Sequence, residues 1–267
     1  MTAVPMLIDS HCHLDRLDLT AYNGCLDTAL QAARERGVRH FLCIGISVEN
    51  APTVRAFTER YADVDCSVGV HPLDLSRGSE PTMQWLLDEL NHPGVVAVGE
   101  TGLDYHYQSE TAQMQQDSFR LHLDAARECG KPVIVHTREA KQDTLDLLRE
   151  AALPQAGVMH CFTEDWPMAK AALDLGYYIS FSGIVTFRNA DALREVALQV
   201  PSDRILVETD SPYLAPIPHR GRPNFPEYVV DVAKFVAELR GVSYEKLAAQ
   251  TTDNFKRLFP LARVQAS

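Results

Sequence analysis

Short apolar runs bounded by turn residues recur from one end of the chain to the other, and most of them do not alternate with polar residues. They are MLIDS (6–10), HFLCIG (40–45), DCSVGV (65–70), VVAVGE (95–100), KPVIVH (131–136), GVMHCF (157–162), YYISFSG (177–183) and ILVETD (205–210), with successive starts 20 to 36 residues apart. A strand with one wet face alternates apolar and polar residues. A strand buried on both faces does not, and burial on both faces marks a parallel sheet covered by crossover helices. The segments between the runs read as those helices. YNGCLDTALQAARERG is rich in Ala, Leu and charge and stops at Gly37. QQDSFRLHLDAARECG sets Phe119, Leu123 and Ala126 on one face and ends at Gly130. DTLDLLREA, DWPMAKAALDLG, NADALREVALQV and PEYVVDVAKFVAELRG fit the same pattern, and SYEKLAAQTTDNFKRLF makes a last helix capped by Ser243. Eight strands, each followed by a helix, predict a closed (β/α)8 TIM barrel occupying residues 1–267 as one domain. An open doubly wound sheet would carry a Gly-rich phosphate loop after its first strand, and none is present.

Composition narrows the class without supplying chemistry. Hydrophobic residues make up 46% and charged residues 23%, as in soluble globular proteins. Runs such as VVAV and VIV are too short to cross a bilayer. The opening MTAVPMLI lacks the basic flank and long apolar stretch of a signal peptide, so a cytoplasmic protein with no membrane association is expected. The six cysteines form no C-x-x-C pair, and four lie in or beside apolar runs, as reduced core thiols do. A formal charge of −11 excludes a protein that coats long nucleic acid through a basic surface. It leaves room for an enzyme that grips one strand end in a metal-filled pocket, because divalent ions reverse the local sign.

Catalytic groups of such barrels come from the C-terminal ends of several strands. Those ends hold His11 and His13 on the first strand, His71 on the third and Glu100 on the fourth. The fifth supplies His136, the sixth His160 and the eighth Asp210, so half of the ten histidines fall on these few positions. Side chains two apart on a strand share a face, so His11 and His13 point together while Cys12 points away to pack. The same parity puts Asp9 with His11, Arg138 with His136 and Glu208 with Asp210. Four imidazoles and two carboxylates at one barrel mouth suit two divalent ions. We assign His11, His13 and Asp210 to the first, His136 and His160 to the second, and Glu100 as the bridge. Asp210 can also take a proton from the attacking water and hand it to the leaving group. Taken singly, each residue has an ordinary structural reading: His136 and His160 as hydrogen-bonded core histidines, Glu100 and Asp210 as helix caps or salt-bridge partners. Five of eight strands delivering a ligand type at one level is what separates the set from that reading.

Around this set, His71 is expected to touch substrate or support a ligand, and Arg138 to clamp an anionic group or sit in a rim salt bridge. Asp104 and Tyr105 line the pocket or shape its loop. The Pro-rich stretch at 211–226 is too long for a plain connection, and its His219 and Arg220 supply positive charge near the mouth unless they are simply solvated. His40, His92 and His122 read as structural.

IDSHCHLD, VGVHPLD, VVAVGETGLDYHY, KPVIVHTREA, VMHCFTED, YYISFSGIVTFRNA, LVETDSPYLAP and PHRGRPNFP together resemble the TatD family of metal-dependent hydrolases, and within it the bacterial YcfH-like branch. The family belongs to the amidohydrolase superfamily, and the resemblance runs from Met6 to Phe259. It implies a distorted TIM barrel, two metals, and ligands at His11, His13, Glu100, His136, His160 and Asp210. It also implies deoxyribonuclease activity on DNA 3′ ends, 3′ to 5′ on single strands, supported by Mg2+. Some amidohydrolases bridge their metals with a carboxylated lysine, a place Glu100 takes here. Four histidines favour Zn2+, Mn2+ or Fe2+ by donor type, whereas Mg2+ prefers oxygen.

Two enzymatic readings follow. In the first, a phosphodiesterase trims DNA 3′ ends, with Arg138, His219 and Arg220 on phosphate and Tyr105 or Tyr213 stacked on a base. In the second, the same two ions serve attack on a carbonyl, in an amide, ester, lactone or aminoacyl-RNA. A metal-stabilised scaffold without turnover is a third reading, and the intact ligand set speaks against it.

Overall fold

The predicted runs become eight parallel strands of one sheet in the computed structural model, which describes residues 6–265. The strands are β1 (Leu7–Cys12), β2 (Val38–Cys43), β3 (Val64–Val68), β4 (Val95–Asp104), β5 (Val133–Arg138), β6 (Gly157–Met159), β7 (Tyr178–Phe181) and β8 (Ile205–Val207). Each pairs in parallel with the next in sequence order. The last seam, between β8 and β1, is stitched at its C-terminal end by a parallel Cys12–Ser211 bridge. There Asp210 N donates to His11 O at 2.9 Å and His13 N donates to Ser211 O at 2.8 Å. The result is a nearly closed (β/α)8 TIM barrel, as the apolar runs predict.

Helices α1 (Leu26–Glu35), α2 (Ala51–Arg60), α3 (Met83–Leu90), α4 (Tyr105–Gln108), α5 (Ala112–Cys129), α6 (Lys141–Ala151), α7 (Trp166–Asp174), α8 (Asp191–Gln199), α9 (Val229–Leu239) and α10 (Tyr244–Leu258) complete the described residues. The first begins later than its sequence pattern suggests. Asp18 caps a separate 3-10 turn at Leu19–Tyr22, and the left-handed Asn23 that follows ends it before α1 can start. Ser243 caps α10 as expected, accepting from Lys246 N at 3.2 Å. None of the helices is long and apolar enough to cross a membrane.

Strand alternation divides the apolar residues into two cores. On β5, Val133 and Val135 face the helices, whereas Ile134 faces inward with Ile8, Leu42, Val158 and Leu206. Helix α10 closes the N-terminal end of this interior with Phe255, Leu258 and Phe259. His136 follows Ile134 on the inward face, and that step carries the strand from packed core to functional cavity.

Parity fails at one place on β1. Ile8 belongs to the interior core and His11 reaches Glu100 and Asp210 at the mouth, although the two stand three positions apart. The register of β1 against β2 is irregular between Asp9 and Cys12, which absorbs the extra residue. Asp9 is therefore turned from the carboxylates that His11 meets and toward Thr209, contrary to strict alternation. It accepts from Thr209 N at 2.9 Å and Thr209 Oγ1 at 2.6 Å, and burial pushes its carboxyl up to about 8.

A candidate metal centre at the barrel mouth

Glu100 occupies the middle of the C-terminal face. Its Oε2 lies 3.3 Å from His11 Nε2. Its Oε1 lies 3.4 Å from His71 Nε2, 3.2 Å from His136 Nδ1 and 2.7 Å from His160 Nε2. Asp210 Oδ1 stands 3.3 Å from His13 Nε2 and 3.6 Å from His11 Nε2. The structure thus gathers all six residues proposed as ligands, and adds His71. Three overlapping groups offer converging ligand atoms: His11–His13–Asp210, His11–Glu100–His160 and His71–Glu100–His136. The division differs from the one expected, because His160 groups with His11 and His136 with His71, both through Glu100.

Backbone packing explains why β4 sits so near β5. Gly102 pairs with His136, has φ of +137°, and a Cβ there would stand 2.0 Å from His136 O. Only glycine permits this approach, which brings Glu100 and Asp104 against the His136 ring.

A second layer of carboxylates orients the imidazoles. His160 Nδ1 donates to Glu208 Oε1 at 3.2 Å, and the same oxygen accepts from Cys161 N at 2.8 Å. His136 Nε2 donates to Asp104 Oδ2 at 3.0 Å, which leaves Nδ1 facing Glu100. Ring–carboxylate pairs of this sort fix the tautomer and aim the other nitrogen.

The donor set fits divalent cations. Both nitrogens of His11, Nδ1 of His13 and Nε2 of His160 are buried without a hydrogen-bond partner. His160 Nε2 is close to Glu100 yet lacks hydrogen-bond alignment. A ring lone pair and a carboxylate oxygen at that separation repel unless a proton or cation intervenes. Burial raises the Glu100 carboxyl, but the charge of His160 and the close approach of the His71, His11 and His136 rings hold it well below the usual range. Burial alone would lower His160, yet Glu100 and Glu208 raise it well above the ordinary histidine value. His71, for which burial outweighs Glu100, falls to about 3 and is a neutral donor at physiological pH.

These groups floor a cavity of about 690 Å³ whose walls include Arg16, Arg77, Arg138, Tyr107 and Tyr213. Arg138 reaches it as expected, its guanidinium 4.7 Å from the centre of the Tyr107 ring. Tyr105 does not. Asp104 caps a four-residue helical turn by accepting from Tyr107 N at 2.9 Å, and that turn swings Tyr105 outward onto Asp143 (2.7 Å). Tyr107, two residues on, takes the place at the wall, in the same GLDYHY segment. His219 and Arg220 are also outside the lining. The His219 ring stacks on Tyr228 at 3.7 Å and its Nε2 donates to Asp231 at 3.0 Å. Arg220 lies 3.7 Å over the Phe187 ring. Arg16 and Arg77 are lining residues that sequence reading missed, because nothing in a loop arginine's neighbours marks which way it turns. Cys12 packs in the outer core as expected, its Sγ donating to Leu42 O at 3.4 Å.

A barrel with histidines and carboxylates converging at its C-terminal mouth defines a metal-dependent hydrolase. The profile of the family described as TatD related DNase matches residues 8–260, and the chain belongs to the TatD family. It is 51% identical over 254 residues to YcfH of Escherichia coli K12, described as an uncharacterized metal-dependent hydrolase, with 95% of each chain covered. It is 36% identical over 255 residues to YabD of Bacillus subtilis, described in the same words, covering 95% of this chain and 99% of that one. The crystal structure of YjjV, a TatD homologue from Escherichia coli K12, superposes with a TM-score of 0.89 at 30% identity, covering 95% of this chain and 98% of the other.

Proposed function

We propose that this hydrolase removes nucleotides from the 3′ end of single-stranded DNA, 3′ to 5′, with two divalent ions held by His11, His13, Glu100, His136, His160 and Asp210. One observation carries the reading: the cluster of imidazoles and carboxylates shares its cavity with three guanidiniums, Arg16, Arg77 and Arg138. A phosphodiester brings negative charge that such a wall binds, whereas attack on a neutral acyl group needs no cations there. The family description, TatD related DNase, supports the same substrate class.

When bound, the ions supply Lewis acidity, acidifying a water and neutralising charge that gathers on the attacked group. The protein does the rest. Asp210, held below the usual carboxylate range by His13 and His11 against the effect of burial, accepts the water proton and returns it to the leaving oxygen. Glu208 and Asp104 act through His160 and His136 as positioning residues. His71 supports Glu100 and His136. Arg138 grips a phosphate oxygen, and Tyr213 and Tyr107 offer exposed ring faces to the terminal base. By donor type Zn2+, Mn2+ or Fe2+ suits the histidines, with Mg2+ expected to support turnover in an assay.

A time course on 5′-labelled single-stranded DNA, with Mg2+, Mn2+ or EDTA and with Asp210→Asn alongside, tests the proposal. A descending ladder that needs both metal and Asp210 is the expected result. No ladder from metal-loaded protein would overturn it and direct screening to acyl substrates.

A further inference from the structure

The arginines of this chain fall into two groups. Of the 19 in the sequence, 14 direct their guanidinium to a carboxylate, a carbonyl oxygen or a phenol. Arg77, Arg138, Arg188, Arg220 and Arg222 have no such partner among the described residues. All five lie at the C-terminal ends of strands or in the loops that follow β3, β5, β7 and β8. In a chain with 36 acidic residues a guanidinium readily finds an acceptor, and elsewhere in the fold each does, most on carboxylates and Arg39, Arg240 and Arg257 on backbone carbonyls.

Arg77 and Arg138 line the cavity, whereas Arg188, Arg220 and Arg222 are exposed and stand outside it. The two loops that carry this outer group contain no Asp or Glu over residues 183–190 and 211–226. They are joined where the cavity wall ends. Ile217 N donates to Thr186 Oγ1 at 2.9 Å, and Ile184 and Leu214, one from each loop, belong to the wall. Arg220 is laid over Phe187, whose N donates to Ile184 O at 2.9 Å, so its guanidinium is held while its N–H groups stay free. A ligand filling only the cavity leaves these three unused.

We propose that Arg188, Arg220 and Arg222 form a track for the phosphate backbone of a single-stranded nucleic acid, holding the part of the strand that lies beyond the nucleotide being removed. The proposal rests on the phosphodiesterase reading above and extends it from a strand end to a chain of several phosphates. A single strand fits better than a duplex for two reasons. The three outer arginines are confined to two adjoining loops of a strongly acidic body, too narrow for the broad face a duplex needs. Tyr213, on the same loop and 47% exposed at the cavity edge, gives an unpaired base a ring to stack on.

The test compares wild type with the triple variant Arg188→Ala/Arg220→Ala/Arg222→Ala on oligothymidylates from dinucleotide to octanucleotide. KM is read from hydrolysis, and affinity from anisotropy of phosphorothioate-linked analogues, across a salt series. In wild type KM should fall as the strand lengthens past the cavity, and in the variant it should be flat with length. Each phosphate contact on a single strand contributes about −0.7 to the slope of log affinity against log salt, so the variant's slope should be shallower by about two. A triple Arg→Lys variant, which keeps the charge, should restore most of the slope. Equal length dependence and equal slopes in wild type and Ala variant, with strands still being cut, would overturn the track and leave the nuclease reading standing. A blunt duplex that binds as tightly and loses as much in the variant would overturn the single-strand assignment. If wild type neither binds nor cuts any oligonucleotide, the phosphodiesterase reading fails and the track fails with it.

Discussion

Each end of the barrel interior holds a buried carboxylate beside histidine, and the two are neutralised in opposite ways. At the N-terminal end, Asp65 accepts from Arg263 N and from Arg263 Nε, both at 2.6 Å, and lies 3.0 Å from His40 Nε2. A permanently charged side chain and a backbone amide thus meet it from within the chain. At the C-terminal end, Glu100 is surrounded by four imidazoles whose charge depends on protons or metal. The closed end spends its electrostatics on holding the tail in place. Both ends leave ring nitrogens without hydrogen-bond partners, but the His40 ring faces a carboxylate that Arg263 already holds. The open end gathers several such rings around Glu100 and adds guanidiniums without acids, and that unfinished state is what a ligand completes.

Changes at the two ends should separate turnover from stability. The largest effect is expected for Asp210→Asn. Loss of its proton transfer and its negative charge should lower kcat by about 100-fold to 10,000-fold, with a thermal midpoint close to wild type. Near wild-type turnover would remove Asp210 from the mechanism.

The next effect concerns how the open end is held. His122 is buried beneath the loop that carries His71: its Nε2 accepts from Val70 N at 3.0 Å and its Nδ1 donates to Ser118 O at 2.7 Å. Burial lowers it to about 4. A histidine depressed in the folded state binds its proton more readily when unfolded, so its contribution is complete above about pH 6.5 and declines as pH falls toward 4. The loss should approach about 3 kcal/mol over that window. Urea midpoints measured from pH 7 to pH 4 should follow this course, and His122→Gln should flatten it. An equally steep decline in the variant would assign the acid sensitivity to other groups.

Arg263→Ala tests the closed end. Removing one partner of a buried pair leaves the other charge stranded, and Arg263 is itself 39% exposed, so a loss of about 2 kcal/mol is expected. The urea midpoint should drop while kcat and KM stay at wild-type values. A change in kcat would show that the two ends are coupled.

What was legible in the sequence divides along the same line. The eight strands were readable because burial on both faces writes an unbroken apolar run. The histidines and carboxylates at strand ends were readable because a barrel's topology delivers them to one place. Local departures from ideal geometry were not. The irregularity between Asp9 and Cys12 changes parity without changing composition, so strict alternation puts Asp9 on the wrong face. A helical turn capped by Asp104 exchanged Tyr105 for Tyr107 at the wall. His219 was absorbed by Asp231 and Tyr228, partners that lie 12 and nine residues away in sequence and meet it only in the fold.

The smallest effect is the sharpest test of strand geometry at the open end. Cys12 stands between two proposed ligands, and a thiol in that position would be an excellent metal donor if it faced them. In the fold it is fully buried among outer-core residues, with its Sγ directed at Leu42 O. Burial raises its thiol well above the ordinary range, with the charge of Asp9 adding to the effect, which is the reverse of a thiolate poised for metal. Cys12→Ser replaces sulfur with a hydroxyl that can keep the bond to Leu42 O, so the stability cost should stay near or below about 1 kcal/mol. Metal content per chain, read by elemental analysis after dialysis, should match wild type. Loss of one ion per chain would mean that Cys12 faces the cavity, and with it the alternation that sends His11 and His13 to the metals would be wrong.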